Sequence, residues 1–84
     1  KHFDKSKIVL VYDNEPRNKE LHKQMDKAIE EHYNVVIWPE MIEEKDINDM
    51  ILSGFSPDEI QDIISKNTFV NLRAKMEFVS WKKT

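Results

Sequence analysis

Two uninterrupted apolar runs constrain the fold of this chain more than any other feature. The first covers residues 8–12 and the second covers residues 35–38, and Pro16 or Pro39 follows each run closely. Runs rich in β-branched and aromatic residues are typical of strands that are buried on both faces, as in a parallel sheet. We therefore predict strands over residues 7–12 and 34–38.

The segment between the two runs has the pattern of an amphipathic helix. Apolar residues recur there at helical spacing, and Asn18 stands where a helix cap belongs. The stripe consists of Leu21, Met25, Ala28 and Ile29. A helix over residues 18–32 between two strands makes a βαβ unit, whose strands are expected to be parallel and whose crossover is expected to be right-handed.

The second half of the chain predicts three more helices, over residues 46–53, 57–66 and 68–81. Asp46 is placed to cap the first of them, and Gly54, the only glycine, follows its end. The sequence Ser-Pro-Asp-Glu from Ser56 has the pattern of a capping box with proline at the first helical position. Thr68 is expected to cap the last helix.

The last helix is expected to bury one apolar face in the core. That face would consist of Phe69, Leu72, Met76 and Val79. The same region is locally basic, with Arg73, Lys75, Lys82 and Lys83, so the sequence leaves open a contact of this helix with a partner protein or a template strand.

Two parallel strands alone do not make a stable sheet, because both outer edges stay unpaired. We therefore expect residues 1–84 to be the C-terminal part of a single larger α/β domain, with the missing strands preceding them. A sheet of four or more strands within the 84 residues would contradict this expectation.

Composition excludes several classes of protein. The chain has no cysteine, so disulfide scaffolds, cysteine zinc sites and thiol nucleophiles are ruled out. A formal net charge of −3 does not suit a protein that coats nucleic acid. No apolar stretch approaches the roughly 18 residues that a membrane span requires, so no membrane partner is expected.

Acidic residues follow both predicted strands. Asp13 and Glu15 come directly after the first strand, and Asp46 and Asp49 come after the second. Ligands of parallel sheets bind beyond the C-terminal ends of the strands, and hard oxygen ligands suit Mg²⁺ or Mn²⁺. The plainer interpretation is that these are ordinary loop and helix-cap residues, and both interpretations can hold together.

The order of these features resembles the second half of a TOPRIM domain, the metal-binding, Rossmann-like α/β fold of bacterial-type primases, topoisomerases and some nucleases. The chain is most similar to DNA primases of T-even-type tailed phages. The strings VYDNEPR and KDINDMI, the acidic stretch between them and the helix around LRAKM carry the resemblance. It covers nearly the whole chain and is strongest over residues 8–17 and 45–51.

The resemblance implies a role for several residues. Asp13, Glu15 and Asp46 would be catalytic residues that hold the metal, Arg17 and Lys45 would contact phosphate, and Asn48 and Asp49 would support the motif. The chain departs from the family pattern where Glu15 replaces a usual aspartate and where Pro16 and Arg17 replace small residues. The family's catalytic glutamate follows an earlier strand and matches no residue here.

The resemblance also implies an activity. A phage primase synthesises short RNA primers on single-stranded DNA from ribonucleoside triphosphates, using Mg²⁺ or Mn²⁺, and it works with the replicative helicase in the primosome, in the cytoplasm of the infected bacterial cell. The isolated 84 residues would be inactive. Two alternatives stay open: a piece of a TOPRIM nuclease or topoisomerase, and a non-catalytic module that binds the helicase or resembles a receiver domain.

Overall fold

The computed structural model describes residues 4–83. Residues 1–3 and 84, which the sequence assigns to the same domain, lie outside the described part. After a 3₁₀ turn at Lys5–Lys7, the elements are the strands β1 (Val9–Leu10), β2 (Asn34–Val36) and β3 (Thr68–Phe69) and the helices α1 (Lys19–Glu30), α2 (Ile47–Leu52), α3 (Pro57–Lys66) and α4 (Asn71–Lys82).

The three strands form one mixed sheet in the order β1-β2-β3. β1 and β2 are parallel, with Val9 opposite Asn34, and α1 is the crossover between them. The predicted α/β class with a parallel strand pair is therefore confirmed. Within residues 4–83 the sheet has three strands, and the expectation of a partial domain stays a prediction.

Hydrophobic cores lie on both faces of the sheet. One core packs α1 and α4 against the sheet and includes Met25, Val35 and Phe78. The other packs α2 and α3 around Val36 and Trp38. Successive residues of β2 enter opposite cores because side chains alternate along a strand. This alternation explains why the run at 35–38 is apolar without interruption.

Side-chain caps begin three of the helices where the sequence places them. Asn18 accepts a hydrogen bond from the Leu21 amide, and Asp46 accepts one from the Asp49 amide. Ser56 and Glu59 form the complete capping box of α3. Gly54 follows α2 with a φ of +107°, a conformation that residues with a Cβ rarely adopt. These local signals fix the helix starts independently of the tertiary packing.

The expectation that a helix starts at Thr68 is wrong. Thr68 and Phe69 instead form β3, which pairs antiparallel with Val36 and Val35 of β2. The ladder continues with a hydrogen bond from the Ile37 amide to the Asn67 carbonyl. Pairing satisfies the second edge of β2, and that tertiary gain outweighs the cap that the Thr68 hydroxyl offers to a helix.

The prediction of which face of α4 enters the core is also wrong. The buried residues of α4 are Ala74, Phe78 and Trp81, whereas Leu72, Met76 and Val79 are exposed. The helix has two apolar sides, and hydrophobic spacing alone does not decide between them. The side with Phe78 and Trp81 faces inward because large aromatic side chains bury the most area.

β1 differs from a strand that is buried on both faces. Its Leu10 packs with Tyr12 on the core that contains α1, but Val9 and Val11 on the opposite side are exposed. Within residues 4–83, α2 and α3 cover β2 rather than β1 on that side of the sheet. The outer edge of β1 is unpaired among these residues as well.

Within residues 4–83 no helix combines the length and the apolar character that crossing a membrane requires.

Candidate functional site

Asp13 lies three residues beyond the end of β1, between two clefts. It lines one cleft of about 310 Å³ together with Asp46 and Asn48, and Tyr12 and Trp38 line the same cleft. It lines the other, of about 330 Å³, together with Glu15. The structure therefore brings Asp13 and Asp46 to the same side of the sheet, as expected from two adjacent parallel strands.

Glu15 is turned toward the loop that follows β2. Its carboxylate lies 3.7 Å from the ammonium group of Lys45, and both side chains are partly exposed. An exposed ion pair of this kind contributes little to stability, at about 0–1 kcal/mol. The pair is therefore easily rearranged, and it leaves both groups available to a charged ligand.

Asp46 caps α2 and also lines the cleft. Its Oδ1 accepts a hydrogen bond of 2.8 Å from the backbone amide of Asp49 at the first turn of α2. Asn48 lines the cleft from the same turn, while Asp49 lines a different cleft with Lys45 and Glu44. Asp46 thus has one oxygen engaged by the cap, and a carboxylate has further lone pairs for a second ligand.

Arg17 and Lys45 are the two predicted phosphate contacts. Arg17 is exposed in the turn before α1, and Lys45 is exposed next to Asp46. The structure brings Lys45 to Glu15 through the ion pair described above.

Asn14 is a residue of this site that the sequence did not single out. Its side-chain amide donates hydrogen bonds to the carbonyls of Ile42 (2.8 Å) and Glu44 (3.0 Å). Its Oδ1 accepts a bond of 3.0 Å from the indole N–H of Trp81, and its backbone amide donates to the Lys45 carbonyl. Asn14 therefore fixes the loop that carries Lys45 and Asp46 against the end of β1.

Aromatic side chains hold the residues of this site in place through hydrogen bonds and ring contacts. The Trp38 indole N–H donates to the Tyr12 carbonyl at 2.8 Å. His22 of α1 contacts the carbonyl of Pro16 and lies edge-on to the rings of Phe78 and Trp81. Apart from the contact of His22 with Pro16, these contacts join residues far apart in sequence, so spacing along the chain gives no signal for them.

Tyr12 lines both clefts and is packed against the core that contains α1 and α4. Burial raises the pKa of Tyr12 above its usual value, and the proximity of Tyr33 raises it further. The phenol is therefore a neutral hydrogen-bond donor at physiological pH.

The donor set has the chemistry that a hard divalent cation needs, but it is small. Asp13 and Asp46 offer carboxylate oxygens to one cleft, and Glu15 faces the neighbouring cleft. Across residues 4–83, no group of three or more His, Asp or Glu side chains is close enough together to form a metal cluster. A cation in the Asp13–Asp46 cleft would need further ligands from water, substrate or another part of the protein.

Comparison with known proteins gives one informative similarity. The chain is 35% identical over 81 residues to the protein named DNA primase of Enterobacteria phage T4. The alignment covers 94% of this chain and 24% of the primase, so the chain spans about a quarter of the length of that relative. No family model matches the chain. Almost all of this chain is thus similar to one part of a phage DNA primase.

Proposed function

We propose that this chain is the C-terminal part of the TOPRIM domain of a phage DNA primase, and that it contributes carboxylates to primer synthesis. The single observation that carries the proposal is the cleft that Asp13 and Asp46 share at the ends of two parallel strands. The 35% identity to a phage primase supports it independently.

In the proposed reaction, the 3′-hydroxyl of a growing primer attacks the α-phosphate of a ribonucleoside triphosphate, and pyrophosphate leaves. A bound Mg²⁺ or Mn²⁺ would supply charge stabilisation at the phosphate and a more reactive attacking oxygen. Asp13 and Asp46 would hold the ion in the cleft that they share, and Glu15, which lines the adjoining cleft, would contribute directly or through water.

The basic residues would bind the triphosphate of the incoming nucleotide. Lys45 lies beside the acidic residues and is paired with Glu15 in the structure. In the proposed complex it would exchange this exposed carboxylate for a phosphate oxygen, which is the charge-assisted contact that lysine commonly makes. Arg17, exposed in the preceding turn, would contact the phosphates or the template backbone. Asn48 and Asp49 would hold the first turn of α2 in place.

The proposed partners follow from the proposed activity. Single-stranded DNA would be the template, ribonucleoside triphosphates would be the substrates, and the replicative helicase would bring the primase to its template in the cytoplasm of the infected cell. These belong to the whole primase, of whose phage T4 relative this chain spans about a quarter.

The test is primer synthesis on single-stranded DNA by the longer protein that contains this chain. We expect Asp13→Asn to lower the rate on the order of 100-fold or more, because removal of a charge that holds a catalytic metal impairs the chemical step. Asp26→Asn on the exposed side of α1 is the matched control and should leave the rate unchanged. Equal rates for the two variants would contradict the proposal, and metal-dependent DNA cleavage instead of primer synthesis would indicate a nuclease.

Calorimetric titration of the 84-residue chain with Mn²⁺ tests the metal ligands separately. With two carboxylates in the cleft we expect a weak Kd, on the order of 0.1–1 mM, as in divalent-cation sites with few charged ligands. Asp13→Ala should abolish the binding heat and Asp26→Ala should not. Tight binding that survives Asp13→Ala would exclude Asp13 from the metal site.

A further inference from the structure

The outward side of α4 carries an apolar seam that nothing in the described part of the chain covers. Leu72 is 71% exposed, Met76 60% and Val79 40%, while Ala74, Phe78 and Trp81 on the other side are buried. A helix that is apolar on both sides is normally covered on both. We call Leu72, Lys75, Met76, Val79, Lys82 and Lys83 the outer face of α4.

The spacing of this seam matches the seam of a coiled coil. Leu72, Met76 and Val79 are four and three residues apart, which is the alternation of the a and d positions of a heptad. Apolar side chains at such positions insert between the side chains of a second helix that lies alongside. The geometry thus favours a helix as the covering element.

The charged residues beside the seam restrict the charge of the helix that can bind there. Lys75 and Lys82 occupy the flanking g positions, and Arg73 and Ser80 occupy the e positions. The only carboxylate of α4, that of Glu77, bonds to Arg73 at 2.9 Å and lies away from the seam. Glu77 thus neutralises the e side at Arg73, whereas the g side keeps the exposed Lys75 and Lys82, the latter with its ammonium group 4.6 Å from the Phe78 ring. The cationic g side complements a helix with glutamate or aspartate at the positions that face it.

A second copy of the same helix fits this surface poorly. In an antiparallel pair the g positions of the two helices face each other, so Lys75 and Lys82 of one copy would oppose the same two lysines of the other, and in a parallel pair Lys75 would lie opposite Arg73. Like charges that oppose each other across a helix pair disfavour association. The surface also has no exposed aromatic ring on the seam for stacking with bases, since Phe78 and Trp81 face inward.

We propose that the outer face of α4 is a docking surface for an acidic amphipathic helix of another protein. Leu72, Met76 and Val79 provide the apolar contact, and Lys75 and Lys82 select the charge of the partner. The surface shares no residue with the Asp13–Asp46 cleft, so this docking function is independent of the proposed metal chemistry.

The test uses two labelled synthetic helical peptides, both with leucine at the a and d positions. One carries glutamate and the other lysine at the e and g positions, and fluorescence anisotropy measures their binding to the 84-residue chain. We expect the acidic peptide to bind at least about tenfold more tightly than the basic peptide, a difference of 1.4 kcal/mol. The difference should shrink in high salt because the flanking charges are exposed.

Paired variants locate the binding surface. We expect Leu72→Ser with Met76→Ser to weaken acidic-peptide binding at least about tenfold, as loss of central apolar contacts does. Ile51→Ser with Leu52→Ser removes two exposed apolar residues from α2 and is the matched control, expected to have no effect. Lys75→Glu with Lys82→Glu should reverse the peptide preference, and Lys19→Glu with Lys23→Glu on α1 should not.

Four results would overturn the proposal. These are equal binding of the two peptides, equal effects of the α4 and α2 variants, binding of single-stranded DNA or anionic vesicles at the outer face in place of the peptide, and self-association of the chain that the α4 variants abolish. Asp13→Asn should leave peptide binding unchanged, so failure of the proposed metal site would not affect this result.

Discussion

Asn14 shows how a single side chain positions a candidate active site. It lies between Asp13 and Glu15 and is only partly exposed. Both N–H groups of its amide and its carbonyl oxygen are hydrogen-bonded, to the loop after β2 and to Trp81 of α4. An aspartate or a threonine at this position would be unable to make all three bonds. Asn14 therefore determines how far the Asp46 loop lies from Asp13.

Replacement of Asn14 should loosen this connection measurably. We expect Asn14→Ala to lower the free energy of unfolding by about 1–3 kcal/mol, because the indole N–H and two carbonyls lose their partner. Gln61→Ala, at an exposed position in α3, is the control and should change it by less than about 0.5 kcal/mol. Urea unfolding followed by tryptophan fluorescence measures both. Equal stabilities of the two variants would mean that Asn14 does not hold the loop.

Tyr12 gives the chain a pH dependence on the alkaline side. Because burial, aided by Tyr33, raises the pKa of Tyr12 in the folded chain, the folded state keeps its proton where the unfolded state, with a tyrosine pKa of 10.0, has begun to lose it. The stability that this contributes is complete below pH 10 and declines as the pH rises toward the folded-state pKa. We expect Tyr12→Phe to reduce this decline above about pH 10, measured by urea unfolding. An identical pH profile in the variant would show that Tyr12 is not the group responsible.

At the scale of the elements, local signals and tertiary packing determine different features. The capping box of α3 is a local signal, with the Glu59 amide 3.1 Å from the Ser56 hydroxyl and the Ser56 amide 2.8 Å from the Glu59 carboxylate.

We expect Ser56→Ala to destabilise the chain by about 1 kcal/mol through loss of this cap. Ser65→Ala removes an exposed hydroxyl within the same helix and should be neutral or slightly stabilising. Thermal unfolding by circular dichroism separates the two, and a stability loss in Ser65→Ala as large as that in Ser56→Ala would contradict the role of the cap.

The elements that the sequence misassigned are those that long-range contacts decide. A helix start at Ser56 depends on residues three positions apart, and sequence alone is enough to find it. β3 depends on pairing with Val35 and Val36, which lie more than thirty residues earlier. The inward side of α4 depends on which apolar stripe meets α1. Local propensity carries no information on either contact, so both expectations were wrong.

At the scale of the whole molecule, the topology of the sheet predicts where the candidate site lies. It does not predict the hydrogen bonds within the site. Asp13 and Asp46 could be brought together from sequence because adjacent parallel strands end at one edge of a sheet. The bonds from Asn14 to Ile42, Glu44 and Trp81 could not, because they depend on how the loop after β2 folds back and where α4 packs. Topology predicts which acidic residues line one cleft, and tertiary hydrogen bonds position the loops that carry them.

The exposed side of β1 bears on whether these residues form part of a larger domain. Parallel strands are normally covered on both faces, yet Val9 and Val11 are exposed and the outer edge of β1 is unpaired within the described residues. If another part of a longer protein covers this side, Val11 is a core residue there and a surface residue in the 84-residue chain. The same substitution would then have two different effects.

Val11→Lys distinguishes the two situations. In the 84-residue chain we expect a change of less than about 0.5 kcal/mol in the free energy of unfolding, because an exposed valine loses little on substitution. In a longer protein whose further strands cover β1, we would expect a loss of at least about 3 kcal/mol, because an unpaired charge would then be buried. Met41→Lys, in an exposed loop, is the control that should be tolerated in both. Urea unfolding of the four variant proteins measures the difference. Tolerance of Val11→Lys in the longer protein would mean that β1 is a true edge strand and that the sheet ends there.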